Sequence, residues 1–137
     1  MLLLRYGRAF LGQLALPLIE AGYTIAATPG TREALASLGI HATAASPIGA
    51  GGRDGAPEIA ELIRSGSIAA VVNTPSPESG VLRDALEIRL AAVEEGVLCL
   101  TTMETAVAAA ESLAVRNALA SVAIAPLGNG GLRERLR

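Results

Sequence analysis

Five short polar segments hold most of the residues of this chain that could do chemistry. They are residues 5–8 (RYGR), 28–31 (TPGT), 45–56 (ASPIGAGGRDGA), 73–80 (NTPSPESG) and the pair Thr101 and Thr102. Their shared content is Thr and Ser hydroxyls, the Asn73 carboxamide, glycines with unshielded backbone N–H groups, and Arg5, Arg8 and Arg53. Hydroxyls and backbone amides at helix N-termini, reinforced by a guanidinium, are the donors that an oxyanion or phosphate needs. Any one threonine here is by itself an ordinary cap or turn residue. The set points to an anion pocket because it recurs in five segments, each placed directly after an apolar run.

Isolated residues carry less. His41 opens an apolar run and reads as structural or solvent-facing, although an imidazole is the usual side chain for acid–base work near neutrality. Cys99 lies inside the run VLCL and reads as a small core residue. Asp54, in the Gly-rich segment, reads as a turn former. Asp84 reads as a first-turn residue favoured by the helix dipole. With one Cys there is no internal disulfide, and a metal site would have to rest on Cys99 and His41. Neither a metal nor a cofactor is expected.

The elements that position these segments alternate between two hydrophobic periods. Residues 2–4 (LLL) are a strand stub. Residues 9–21 carry Phe10, Leu14, Leu18 and Ala21 at helical spacing and stop at Gly22, with Pro17 expected to kink or split the helix. Residues 23–27 (YTIAA) are β-like. Thr31 is placed to cap a short helix that ends at Gly39. Residues 40–44 form a third strand, and Pro57 opens a helix over 58–65. Residues 68–73 (IAAVVN) are the clearest buried strand. Residues 81–95 form a helix along which Leu82, Leu86, Ile88, Arg89 and Val93 step. Residues 97–100 form a fifth strand. Thr101 and Glu104 fit a capping box for a helix over 103–118, and residues 121–125 are a candidate sixth strand. Strands alternating with helices through short connections predict an α/β fold: a three-layer α/β/α Rossmann-like sandwich with a mostly parallel five-stranded sheet. Ligands of such sheets bind outside the carboxyl ends of the strands, where the five polar segments fall.

Bulk composition narrows the function classes. A chain of 137 residues is one domain's worth of protein, expected over residues 1–127 with a flexible tail over 128–137. Hydrophobic residues make up 51% and mean hydropathy is +0.47, which argues against disorder. The net charge of −2 and the 2% aromatic content leave neither a basic face nor a base-stacking platform, so nucleic acid is not an expected partner. No segment supplies the roughly 20 apolar residues of a membrane span. The start of the chain lacks the order of a secretory signal, because Arg5 and Arg8 follow Leu2, Leu3 and Leu4 instead of preceding an apolar run. A cytoplasmic location is expected. All eleven basic residues are Arg, and acid is eleven Glu against two Asp.

Four motifs in order carry a family resemblance: Ala27-Thr28-Pro29-Gly30-Thr31; Ile63-Arg64-Ser65-Gly66 running on to Val72-Asn73-Thr74; Glu87-Ile88-Arg89-Leu90-Ala91-Ala92-Val93; and Thr101-Thr102. Over about residues 1–115 the chain resembles the methylglyoxal-synthase-like domain. It is most similar to the version at the C-terminus of the carbamoyl-phosphate synthetase large subunit, an enzyme of pyrimidine and arginine biosynthesis. The resemblance implies a regulatory domain that binds a small phosphorylated effector such as UMP or IMP. By position, the effector phosphate would be held by Arg8, Thr28, Gly30 and Thr31, with Gly30 allowing close backbone approach. Asn73, Thr74 and Ser76 would line the other side. Arg8 stands where the family often has a Lys. A second Lys, usual near residues 46 and 47, has no counterpart; Arg53 is the nearest substitute. An Arg fork for a Lys point charge changes how a phosphate is held. The partner implied is the remainder of a synthetase large chain, or else further copies of this chain.

Two other functions fit the same resemblance. A methylglyoxal synthase acting on dihydroxyacetone phosphate would need a catalytic Asp in a Gly-Gly-Asp segment, for which Asp54 is one residue late, and a second Asp where this chain has Asn73-Thr74-Pro75. Catalysis is therefore the runner-up. The third is a degenerate domain that serves subunit contact through the small-residue face of the helix AVAAAESLA, residues 106–114.

Overall fold

The computed structural model describes residues 8–52, 55–74 and 79–121. Along the chain these form α1 (Arg8–Glu20), β1 (Ala26–Ala27), α2 (Pro29–Ala36), β2 (Thr43–Ala44) and α3 (Ile59–Arg64), then β3 (Ala70–Val72), α4 (Ser79–Glu94), β4 (Leu98–Leu100) and α5 (Met103–Ser121). The β–α alternation read from the apolar runs is present, and the paired strands are parallel.

The expected five-stranded sheet is not what the described residues build. They form two separate two-stranded parallel sheets, β1–β2 and β3–β4. The strands are also shorter than the apolar runs that encode them. In the run 23–27, Tyr23 and Thr24 are exposed and only Ala26 and Ala27 enter the ladder. There Thr43 N–H donates to Ile25 O at 2.8 Å and Ala45 N–H to Ala27 O at 3.0 Å, the even spacing of a parallel pair. The expected first strand, residues 2–4, lies outside the described residues. So does most of the candidate sixth strand: Ser121 is the last residue of α5, and 122–125 are not described.

Both sheets lie between the same two helical layers. Successive strand residues point to opposite faces. Val71 therefore joins one core with Ala45, Ile59, Ile63, Ile88 and Ala91, while Val72 joins the other with Leu11, Leu14, Ala27, Leu35 and Ala106. Ala26 and Ala27 divide in the same way. The first core rests on α3 and α4, the second on α1, α2 and α5, which gives helices on both faces of the strands. Fully burying a Leu, Ile or Val side chain contributes about 1.5–3 kcal/mol. Leu11, Leu14, Leu35, Ile59, Ile63 and Val71, the largest fully buried side chains, are divided between the two layers.

Several local expectations are corrected. Pro17 does not split its helix: α1 is continuous, Pro17 O still accepts Ala21 N–H at 3.0 Å, and the buried Leu11, Leu14 and Ala15 hold the segment against α5. α2 begins at Pro29, with Thr28 as the extended N-cap residue, so Thr31 sits inside the first turn and does not cap it. Proline is favoured at the first helical position and forces the residue before it into extended geometry. At α5 the capping residue is Thr102, not Thr101: its Oγ1 accepts Thr105 N–H at 3.3 Å and donates to Thr105 Oγ1 at 2.7 Å. On α4 the buried positions are Ala85, Ile88, Ala91 and Ala92, whereas Leu86 and Val93 are exposed. The small-residue face of α5 is not free either. Ala106 and Ala110 are buried in the core that holds Leu11, Leu14 and Ala15.

Candidate functional site

Four polar side chains are buried among the described residues: Thr31, Ser46, Asn73 and Thr74. Each follows the C-terminal end of a strand. Thr31 is four residues beyond β1, Ser46 two beyond β2, and Asn73 and Thr74 come directly after β3. The strands within each sheet are parallel, so Thr31 and Ser46 follow the same end of the β1–β2 sheet, and Asn73 and Thr74 follow the corresponding end of β3. A buried polar side chain needs a hydrogen-bond partner to offset its desolvation. The partner of each one therefore shows what it does.

Asn73 ties two elements together. Its N–H donates to Leu100 O at 2.8 Å, which extends the β3–β4 ladder by one residue. Its Nδ2 donates to Ala85 O at 3.1 Å, which fastens the side chain to the middle of α4. Thr74 follows it into the loop, 8% exposed. Ser46 has a similar tying role. It forms a parallel bridge with Glu58, its N–H donates to Pro57 O at 2.9 Å, and its Oγ donates to Ala56 O at 3.0 Å.

The Gly-rich segment after β2 is closed on itself. Gly49, Gly51, Gly52 and Gly55 all have positive φ, between 63° and 74°, where a side chain would be strained. The resulting curl turns the Gly51 N–H onto Glu58 Oε1 at 2.9 Å. The same carboxylate accepts from the third residue of α3, while Glu61 Oε2 accepts Glu58 N–H at 3.1 Å, completing a capping box. An internal carboxylate thus already serves the amides that would otherwise be open to an anion. Glu58 is the residue that the sequence reading missed. Its signal was present in Pro57-Glu58 followed by Glu61, although capping boxes ordinarily begin with Ser or Thr. Asp54 and Arg53, in the middle of this segment, lie outside the described residues.

The turn after β1 is built differently. Thr28 has φ −64° and ψ 160° and makes no side-chain cap bond to α2. Among the described residues its hydroxyl makes a long 3.4 Å contact to Thr31 Oγ1. Thr31 is 4% exposed and partnered within the fold. A Cβ built on Gly30 would meet nothing within 4 Å, so there is open space outside the first turn of α2. No positive φ demands glycine there. The positive end of the helix dipole faces that space, with no side-chain cap bond from Thr28 and no acidic residue in the first turn. Arg8 is the first residue of α1, and its side chain is not described; Ser76 lies outside the described residues.

Other chemistry is sparse. A groove of about 500 Å³ runs along the opposite flank of α2, lined by Arg32, Glu33, His41 and others. Arg32 Nε donates to Ala42 O at 3.2 Å and so fastens α2 to β2. His41 is exposed. The groove shares only Pro29 with the turn, and reaches none of the four buried polar residues. Burial raises the Cys99 thiol pKa, and the nearby Arg89 guanidinium opposes that rise only in part. Arg89, in the third sequence motif, has a buried Nε with no hydrogen-bond partner among the described residues. The same residues hold no group of three or more His, Cys, Asp or Glu that could bind a metal, and no helix long and apolar enough to cross a membrane.

Comparison with known proteins agrees with this layout. The family model for the MGS-like domain matches residues 11–101. The carbamoyl phosphate synthase large chain of Streptomyces coelicolor is 40% identical over 101 residues, covering 73% of this chain and 9% of that protein. That of Thermomicrobium roseum is 35% identical over 102 residues, 74% of this chain and 9% of the relative. That of Streptomyces avermitilis is 40% identical over 97 residues, 70% and 9% respectively. The chain thus spans about a tenth of the length of these relatives.

Proposed function

The chain belongs to the MGS-like domain family, and from that premise we propose that it is a regulatory module of a carbamoyl phosphate synthase that binds a small phosphorylated effector such as UMP or IMP. The observation that carries this reading is the turn after β1. Its helix has an N-terminus without a side-chain cap, open space over Gly30, and the buried hydroxyl of Thr31 in the first turn. A phosphate suits such a turn, because backbone amides and hydroxyls supply donors and the helix dipole supplies partial positive charge. Thr28, Gly30 and Thr31 would hold the phosphate, with Arg8 as the countercharge. Asn73, Thr74 and Ser76 would border the rest of the effector. Asn73 keeps the border in place through its bond to Ala85.

In this reading the chain is not catalytic by itself. It acts on the remainder of a synthetase large chain, in the cytoplasm, by changing how it packs when the effector is bound. Isothermal titration with UMP, IMP and inorganic phosphate tests it. A saturable heat with at least one nucleotide is expected, weakened about tenfold or more by Thr31→Ala, the usual scale for deleting a hydrogen bond to a charged group. Flat titrations with all three ligands would overturn it.

A further inference from the structure

α4 is turned inside out relative to its composition. Its inner face buries Ala85, Ile88, Ala91 and Ala92, mostly small residues, while Leu86, Leu90 and Val93 are 66%, 56% and 76% exposed. These three are spaced four and three residues apart, so they form one continuous apolar stripe along the helix. Together they expose on the order of 350 Å² of apolar surface, the size of the largest apolar patch on an ordinary monomer, which is often functional. An interface that typically covers about 800 Å² on each partner would have this stripe as its apolar centre. No element among the described residues covers it.

The charges beside the stripe select its occupant. Arg83 and Glu94 are both exposed. At 3.6 residues per turn they lie about 60° and about 80° around the helix from Leu86, on the same flank of the stripe. Residues on the same flank meet when two such helices pack antiparallel, whereas opposite flanks meet when they pack parallel. A two-fold axis near the middle of α4 therefore sets Arg83 of each copy against Glu94 of the other and repeats the pair by symmetry. Glu87, on that flank, lies one turn from Arg83 of its own helix, which offsets its charge.

We propose that the exposed face of α4 is a homodimer interface, in which the Leu86–Leu90–Val93 stripe packs antiparallel against the same stripe of a second copy and Arg83 pairs with Glu94 across it. Sedimentation equilibrium on the whole chain, over micromolar to submillimolar concentration, tests this. A reversible monomer–dimer equilibrium is expected, and Leu90→Glu should weaken it at least about a hundredfold, because it buries an unpaired charge at the centre. Arg83→Glu should weaken it about tenfold, and Arg83→Glu combined with Glu94→Arg should restore it to within about threefold, since the swapped charges are again complementary. All three substituted positions are exposed, and an unchanged far-ultraviolet dichroism spectrum shows that each variant folds. A chain that stays monomeric throughout overturns the proposal. So does a dimer indifferent to both Leu90→Glu and the charge reversals. Binding of the stripe only to the remainder of a carbamoyl phosphate synthase, with no self-association, likewise overturns it.

Discussion

The turns after β1 and after β2 begin alike and finish as opposites. Both leave a parallel strand and enter a helix whose N-terminal amides need acceptors, with proline and glycine around the helix start. After β2 the chain supplies its own acceptor, because Glu58 takes both the Gly51 amide and the first turn of α3. After β1 no such acceptor comes from the N-cap or the first turn of α2. Thr28 has a hydroxyl in the N-cap position, yet that hydroxyl leans toward Thr31 and leaves α2 without a side-chain cap. Two turns of one architecture thus differ: one is capped by a carboxylate of the fold, and the other, where the proposed effector phosphate would sit, has no side-chain cap from its N-cap residue. Glycine shows the same division. Gly51 is required by its φ of 63°, whereas Gly30 has an ordinary helical backbone and open space above it.

The largest effect that would sharpen this contrast comes from finishing the open turn artificially. Thr28→Asp places a carboxylate at the N-terminus of α2. It should stabilise the fold by about 0.5–1 kcal/mol through the cap and the dipole. It should also weaken binding of a phosphorylated effector by about a hundredfold or more through like-charge repulsion. Thermal unfolding and isothermal titration read the two effects separately, and a variant that is stabilised yet still binds would place the phosphate elsewhere.

Next in size is the reverse operation on the closed turn. Glu58→Ala removes the acceptor for Gly51 and for the first turn of α3, and should cost about 1–2 kcal/mol in urea unfolding. Effector affinity should be unchanged; a loss comparable to that of Thr31→Ala would mean that the two turns form one site.

Smaller is the glycine pair. Gly51→Ala should destabilise by about 1 kcal/mol, because its left-handed backbone disfavours a side chain. Gly30→Ala should be neutral or stabilise by up to about 1 kcal/mol, as at any compatible helical position. Equal unfolding midpoints for the two variants would erase the distinction drawn between the turns.

The smallest effect is a control that belongs to neither turn. Burial holds the Cys99 thiol above its ordinary value of 9.0. A group whose folded pKa is raised contributes fully below its unfolded pKa and loses that contribution as pH rises through the folded one. Stability should therefore fall slightly once pH passes 9, and Cys99→Ala should flatten that fall. Parallel slopes of unfolding midpoint against pH in the two proteins would show that Cys99 is not its source.

The order of elements was legible in the apolar runs, and so were the residues at the strand ends, because strand and helix periods and the turn residues between them are local properties. Orientation about a helix axis was less legible. Leu86 and Val93 step along α4 at helical spacing, but the face that packs inward is that of Ala85, Ile88, Ala91 and Ala92, which leaves both large side chains exposed. The small-residue run of α5 read as a docking face, and instead it lets α1 approach. Thr31 read as a cap because threonines often are, whereas Pro29 starts the helix two residues earlier and carries Thr31 inward.

By itself, the sequence determined the β–α alternation, the family and the polar character of the strand ends. Each follows from the type and spacing of residues close together in the chain. Only the tertiary structure decided that Glu58 closes one turn, that Asn73 reaches across to α4, and which side of α4 faces outward. Those outcomes depend on which surfaces compete for the same burial, and that competition is settled between segments far apart in the chain.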